Sequence, residues 1–203
     1  ALCASASGDE CLCARCAGAA APRRDTCPRC ALPSPGGAVC GRCLAHAPAW
    51  DAAVAAGLYA FPLDRLVQRV KYGADLPLAA ALGALLADAA TVAGASSRVD
   101  AIVPMPLDAA RQRERGYNQA RELARAVRRA TGLPLRDGLV RSRATAPQAS
   151  LAWRERARNV RGAFAATRPF AGARVALVDD VMTSSATAAA ASAALRRGGA
   201  ARI

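Results

Sequence analysis

All eight cysteines of this 203-residue chain fall between Cys3 and Cys43, and none follows. Residues 1–46 carry Cys, Pro, Gly and Arg but few large apolar side chains. Such a segment cannot bury enough hydrocarbon to fold on its own, and needs a metal or disulfides. The spacing favours a metal. Cys13-x2-Cys16, Cys27-x2-Cys30 and Cys40-x2-Cys43 each place two sulfurs on one tight turn, and two such pairs supply the four thiolates of a tetrahedral zinc. Cys27, Cys30, Cys40 and Cys43 make the strongest set. Cys13 and Cys16 need two further ligands, for which Cys3 and Cys11 are available, and His46 is a weaker candidate. A disulfide-stapled secreted module is the alternative. It is disfavoured because the 160 residues after Cys43 hold no cysteine and no export signal is visible. A four-cysteine site is closed, so the metal is expected to be structural.

The remainder reads as a different kind of chain. Pro48 to Asp51 reads as a linker, and Leu58 to Pro62 as a short strand. Apolar periodicity predicts helices over 63–72, 76–91, 116–131 and 186–197, and strands over 98–103, 139–141 and 174–178. From residue 98 onward strands and helices alternate, which predicts an α/β sheet with helices on its faces. Residues 142–161 show no period and read as a loop. No run of 18 apolar residues appears, so a transmembrane helix is not expected and a cytoplasmic setting is. The chain does not begin with Met, and Ala201-Arg202-Ile203 reads as the opening of a strand, so trimmed ends are expected.

Charge narrows the partners. The formal net charge is +13, with 28 Lys and Arg against 15 Asp and Glu. Residues 107–161 hold 14 Arg and 5 acids, a net +9. That favours anionic partners: nucleic acid, phosphorylated small molecules or an anionic membrane surface. Aromatic residues make up only 4% of the chain, so base stacking is not expected as the main device.

The stretch Val175 to Thr187 carries the most chemistry. A hydrophobic strand delivers Asp179 and Asp180 to the carboxyl edge of the sheet, where ligands of open α/β sheets collect. Thr183, Ser184 and Ser185 follow, then Ala186 and Thr187 open a helix. The free N–H groups and dipole of a helix start favour phosphate. Acids for ribose hydroxyls beside a donor-lined phosphate cup form a ribose-phosphate site.

This stretch resembles the PRPP-binding signature of type I phosphoribosyltransferases. The rest of the chain is similar to the ComF family, a zinc-ribbon module joined to a phosphoribosyltransferase-like domain. The matching pieces are Val70-Lys71-Tyr72-Gly73, Val103-Pro104-Met105-Pro106-Leu107, Arg111 to Ala120, Leu139-Val140-Arg141, Thr145 to Leu151 and Arg158 to Phe164. The resemblance implies a zinc ribbon over 1–46 and, over 47–203, a mostly parallel sheet flanked by helices. It implies that Asp179 and Asp180 act on the ribose hydroxyls of PRPP and that Thr183 to Thr187 wrap its 5-phosphate. Pro104, Met105 and Pro106 would lie beside pyrophosphate and magnesium, with Arg111, Arg113 and Arg115 close by, and residues 142–151 would close over the site. If the protein is active, an acceptor would form a bond to ribose C1 as pyrophosphate leaves with its electron pair. The acceptor is not legible. The family is associated with natural competence and DNA uptake. A non-enzymatic factor that binds single-stranded DNA and a helicase partner therefore stays open beside the transferase. Homodimerisation is an expectation by analogy with the fold. One departure stands out. The phosphate loop often reads Thr-Thr-Gly-Ala-Thr, whereas Ser184 and Ser185 fill its middle here. A Cβ at 185 crowds the phosphate or demands a different backbone.

Overall fold

The computed structural model describes residues 3, 11–143, 160–183 and 185–203. Two short helices, α1 (Ala14–Ala20) and α2 (Gly41–Ala45), lie in the cysteine-rich part. Then follow α3 (Leu63–Gly73), α4 (Leu76–Val92), β1 (Ala101–Pro104), α5 (Ala109–Arg115), α6 (Gln119–Thr131), β2 (Leu139–Arg141), β3 (Phe164–Ala166), β4 (Val175–Val178) and α7 (Ala186–Arg197). Among the described residues, no helix is long and apolar enough to cross a membrane.

The architecture is α/β, with one parallel and one antiparallel pair. β1 and β4 run parallel, in register from Ala101↔Val175 to Pro104↔Val178. Leu135 bridges Ile102 in parallel on one side, and Arg202 bridges Arg174 in parallel on the other. Four parallel stretches thus lie side by side, and the expected strand character at Ala201 to Ile203 is met by the Arg202 bridge. β2 pairs with β3 in antiparallel fashion.

Alternation along β1 sends side chains to opposite faces. Ile102 joins Leu66, Leu78, Ala124 and Val178 in one core cluster. Val103 joins Phe164, Phe170, Val175 and Leu195 in the other. Helix α3 buries Leu63, Leu66, Val67 and Val70, the stripe its periodicity predicts. Asp75 begins α4 by accepting a hydrogen bond from the Leu78 N–H at 3.1 Å. Helix α4 packs against α6 through Gly83. A Cβ there would sit 2.5 Å from Ala126 Cβ and 2.8 Å from the Leu123 carbonyl oxygen.

Several expectations change. Residues 58–62 form a turn, because Pro62 lacks an N–H for a ladder and instead leads into α3. The helix expected from Gly116 starts at Gln119. Asn118 caps it, and Gly116, at φ 75°, ends the separate helix α5. That helix escaped notice because it is polar and buries no residue. Strand β3 was also unforeseen, since Phe164 is its one large apolar residue beside two alanines. The expected linker is a fastening point. Trp50 is buried and donates from Nε1 to the Arg29 carbonyl at 2.7 Å. Asp51 Oδ2 accepts from the Ile203 N–H at 2.7 Å and from Arg196 at 2.8 Å. Helix α1 does not pack on the Cys27 group: Leu12, Cys16 and Ala20 share the apolar cluster of Leu63 and Leu66. Most of the expected 142–161 loop lies outside the described residues.

The Gly83 contact yields a prediction. Alanine raises helix propensity but overpacks this crossing, so Gly83→Ala is expected to lower stability by about 1–3 kcal/mol. Gly18→Ala, in α1 with open space around it, is the control and should hold or slightly raise stability. Urea unfolding of both variants measures the difference.

Candidate functional site

The cysteine-rich part presents two groups of thiols. Cys27, Cys30, Cys40 and Cys43 have their sulfurs within 4.8 Å of one another. A tetrahedral zinc with Zn–S of about 2.3 Å requires sulfurs about 3.8 Å apart, and Cys30 and Cys40 stand 3.7 Å apart. Four sulfurs converging on one point at this spacing favour a metal over the disulfide alternative, since an S–S bond would bring two of them to about 2.05 Å. Helix α2 begins directly after Cys40, which turns Cys43 back toward the group. Burial pushes Cys27 up, but the N–H groups of Cys40, Arg29 and Cys30 outweigh it and bring the thiol down to about 6. Burial, then the neighbouring Cys30 and Cys40 thiols, push Cys43 up to about 12. Four thiolates cannot coexist in this space without a cation, and a divalent metal supplies the missing charge. The donor set and the spacing therefore fit a closed structural zinc site.

Cys3, Cys13 and Cys16 form the second group, with Cys16 Sγ 3.3 Å and Cys13 Sγ 3.6 Å from Cys3 Sγ. Cys11 stands outside it and packs against the apolar cluster around Leu12. His46 belongs to neither group.

The second candidate lies at the carboxyl edge of β1 and β4. Parallel pairing brings the two strand ends together, and the Met105 N–H donates to the Val178 carbonyl at 2.8 Å. The turn Pro104 to Leu107 thereby sits beside Asp179 and Asp180. Asp180 donates its N–H to Asp179 Oδ1 at 2.9 Å. The Asp179 carboxyl is pushed up to about 7, first by burial and then by the charge of Asp180. The Asp180 N–H, Lys71 and Arg141 act in the opposite direction. Lys71 Nζ reaches Asp180 Oδ2 at 3.2 Å. Arg141, at the end of β2, is held over the Phe164 ring at 5.5 Å and senses Asp108, Arg111 and Asp179.

After the acids, the chain turns around a shallow depression lined by Asp179, Val181, Met182, Thr183, Ser185, Thr187 and Ala188. Ser185 precedes α7 with φ 63° and ψ −4°, in the left-handed region. The loop thus takes a glycine-like backbone despite the Cβ. That costs roughly 1–2 kcal/mol, and such strain concentrates at functional loops. Ser184 lies outside the described residues.

The other expected residues divide. Pro104 and Pro106 line a separate pocket with Leu107, Asn118, Arg121, Arg136 and Asp137, which shares no lining residue with the depression beside Asp179. Met105 does not face outward: its side chain is in the core, and its carbonyl accepts from Asn118 Nδ2 at 3.0 Å. Asp108 caps α5 through the Arg111 N–H at 3.0 Å and lies 3.5 Å from the Arg111 guanidinium. Arg111 and Arg115 share a face of α5, one turn apart. Arg113 falls on the opposite side and is exposed. Arg115 is spent partly on the Tyr72 ring at 5.4 Å. Sequence reasoning missed Lys71 and Arg141 as members of the edge. The usable signal for Lys71 was its isolation as a lysine in an arginine-rich chain.

The fold and its two sites define a class: an α/β protein with a cysteine cluster fit to hold a metal and an acidic strand end. The relatives make that class specific. The chain is 36% identical over 197 residues to the DNA utilization protein YhgH of Salmonella typhimurium, covering 95% of this chain and 87% of the relative. It is 34% identical over 197 residues to the Shigella flexneri protein of the same name, with the same coverage. It is 36% identical over 171 residues to competence protein F of Haemophilus influenzae, covering 81% of this chain and 75% of the relative. The chain belongs to the ComF family. No protein-family model and no solved structure matches it.

Two predictions follow from this geometry. Chelation, or Cys30→Ser, is expected to release zinc and loosen the contact between Trp50 and Arg29. In a Trp153→Phe background, a red shift of Trp50 emission should accompany zinc loss measured colorimetrically. The Asp179 carboxyl sets the second. Unfolded, it ionises near 4; folded, not until about 7. Stability contributed by this group is therefore full at low pH and falls as pH rises through that window. Asp179→Asn should raise the melting temperature at pH 8 more than at pH 4.5.

Proposed function

We propose that this ComF-family chain has a type I phosphoribosyltransferase-like domain whose strand-end site takes magnesium-bound PRPP or a related ribose phosphate. The observation that carries this reading is one juxtaposition. Two adjacent acids, a loop with Thr183, Ser185 and Thr187, and the start of α7 follow in order from β4. The Pro104 turn from β1 lies beside them. Carboxylates accept from the ribose hydroxyls, while the loop hydroxyls and the N–H groups at the start of α7 donate to the 5-phosphate. Arg111 and Arg141 place positive charge near the turn, where a pyrophosphate would carry its negative charge. Magnesium, brought with PRPP, would offset the remaining phosphate charge. The zinc module serves as a structural support fastened to the larger domain. If catalysis occurs, the chemistry is pentosyl transfer.

A second reading has its own observation. Arg113, Arg128 and Arg129 are exposed on α5 and α6 and make no ion pair among the described residues. Exposed guanidiniums of this kind suit the phosphates of single-stranded DNA. It agrees with relatives named for DNA utilization and competence. In that reading the protein is a competence factor with a helicase partner.

Calorimetry with Mg-PRPP separates the two. The wild type should bind, and the Asp179→Asn/Asp180→Asn variant should lose at least tenfold in affinity while staying folded. Ser185→Gly should relieve the backbone strain and bind as well or more tightly. Absence of binding by a folded, zinc-loaded wild type would sink the ribose-phosphate reading. Salt-steep binding of single-stranded DNA, weakened by Arg113→Ala/Arg128→Ala/Arg129→Ala, would then support the second.

A further inference from the structure

The sequence contains one lysine, Lys71, among its 28 Lys and Arg residues. That lysine occupies the last turn of α3, far in sequence from the acids, yet its Nζ lies 3.2 Å from Asp180 Oδ2. Its side chain is only 21% exposed and that of Asp180 16%. The contact is therefore not a loose surface pair, which would contribute little.

The neighbours of Lys71 hold it in place. Val70 is buried, and its carbonyl accepts a hydrogen bond from the Tyr117 hydroxyl. The Arg115 guanidinium lies over the Tyr72 ring. The residues before and after Lys71 are thus tied to the end of α5 and the start of α6. The lysine is carried to the strand edge by a fixed helix end rather than by a free arm.

Donor counting then points outward. An ammonium has three N–H donors. Among the described residues, Asp180 Oδ2 is the acceptor that Lys71 reaches, and the other donors have none. Asp180 is left in a complementary state: Oδ2 is held by Lys71, while Oδ1 has no donor among the described residues. One carboxylate oxygen is anchored and the other is open to a hydroxyl. A guanidinium reproduces this arrangement only in part, because its planar fork is larger and favours engaging both oxygens side by side.

We propose that Lys71 is a ligand-binding residue of the strand-end site. It orients Asp180 toward a ribose hydroxyl with one N–H and gives another to an oxygen of the phosphorylated ribose. This rests on the ribose-phosphate reading above and adds a group from outside the strand-to-loop stretch. Binding then ties the end of α3 to the acids through a shared ligand.

The lone lysine makes the test clean. Reductive methylation of the full, zinc-loaded chain modifies one ε-amine, which mass spectrometry separates from the N-terminal amine by peptide. Saturating Mg-PRPP should slow methylation of Lys71 at least fivefold. Calorimetry should show Lys71→Met binding Mg-PRPP at least tenfold more weakly than wild type, with Lys71→Arg recovering only part of the loss. If wild type binds, but Lys71 is unprotected and Lys71→Met binds equally well, the inference falls while the ribose-phosphate reading stands. If wild type does not bind, both fall. If Lys71→Met fails to fold, the protection of wild type decides alone.

Discussion

The parallel register between β1 and β4 is the constraint on which the rest of the structure depends. With Pro104 opposite Val178, both strands stop at the same level. The Met105 N–H is then used on the Val178 carbonyl, so the chain after β1 must turn away across the edge. That turn and the two acids meet because the ladder ends there. A slip by one residue would exchange the two faces of β1, moving Ile102 and Val103 into each other's cores. Apolar packing on both faces therefore also sets where the acids stand.

Around this edge, charge is arranged from several directions. Asp179 and Asp180 come from β4, Lys71 from α3, Arg141 from β2 and Arg111 from α5. Asp179 is partly withdrawn from water and lies beside a like charge, so ionising it is unfavourable. The cations from other elements oppose that effect. The site is thus an electrostatic balance assembled by tertiary packing.

The cysteine module solves a different problem. It has almost no hydrocarbon to bury, and its own cluster consists of Cys27, Cys30 and Cys43 with Val39 and Cys40 alongside. Metal–sulfur bonds can replace a core only if the four sulfurs converge, which their short loops enforce. The module does not float. Trp50 and the Ala53 N–H bond the backbone of Arg29 and Pro28, while Asp51 bonds Ile203. A stretch that reads as a linker holds the module, α7 and the last parallel stretch together.

Local chemistry is what could be read from the residues alone. The Cys-x2-Cys spacings place the tetrathiolate because two residues between cysteines make one turn. The stripe of Leu63, Leu66, Val67 and Val70 gives α3, and the apolar run before Asp179 gives β4, because periodicity is a property of neighbouring residues. The order of acids, hydroxyls and helix start was legible for the same reason. Other features were decided only by the folded chain. Met105 turned into the core, Arg113 fell on the far side of an unforeseen helix, and Cys11 stayed outside the thiol group. Ser185 accepted a backbone that its side chain disfavours. Lys71 and Arg141 arrived beside acids distant in sequence. Each of these depends on which surfaces pack together, and close packing couples residues across the whole chain in ways that no local pattern records.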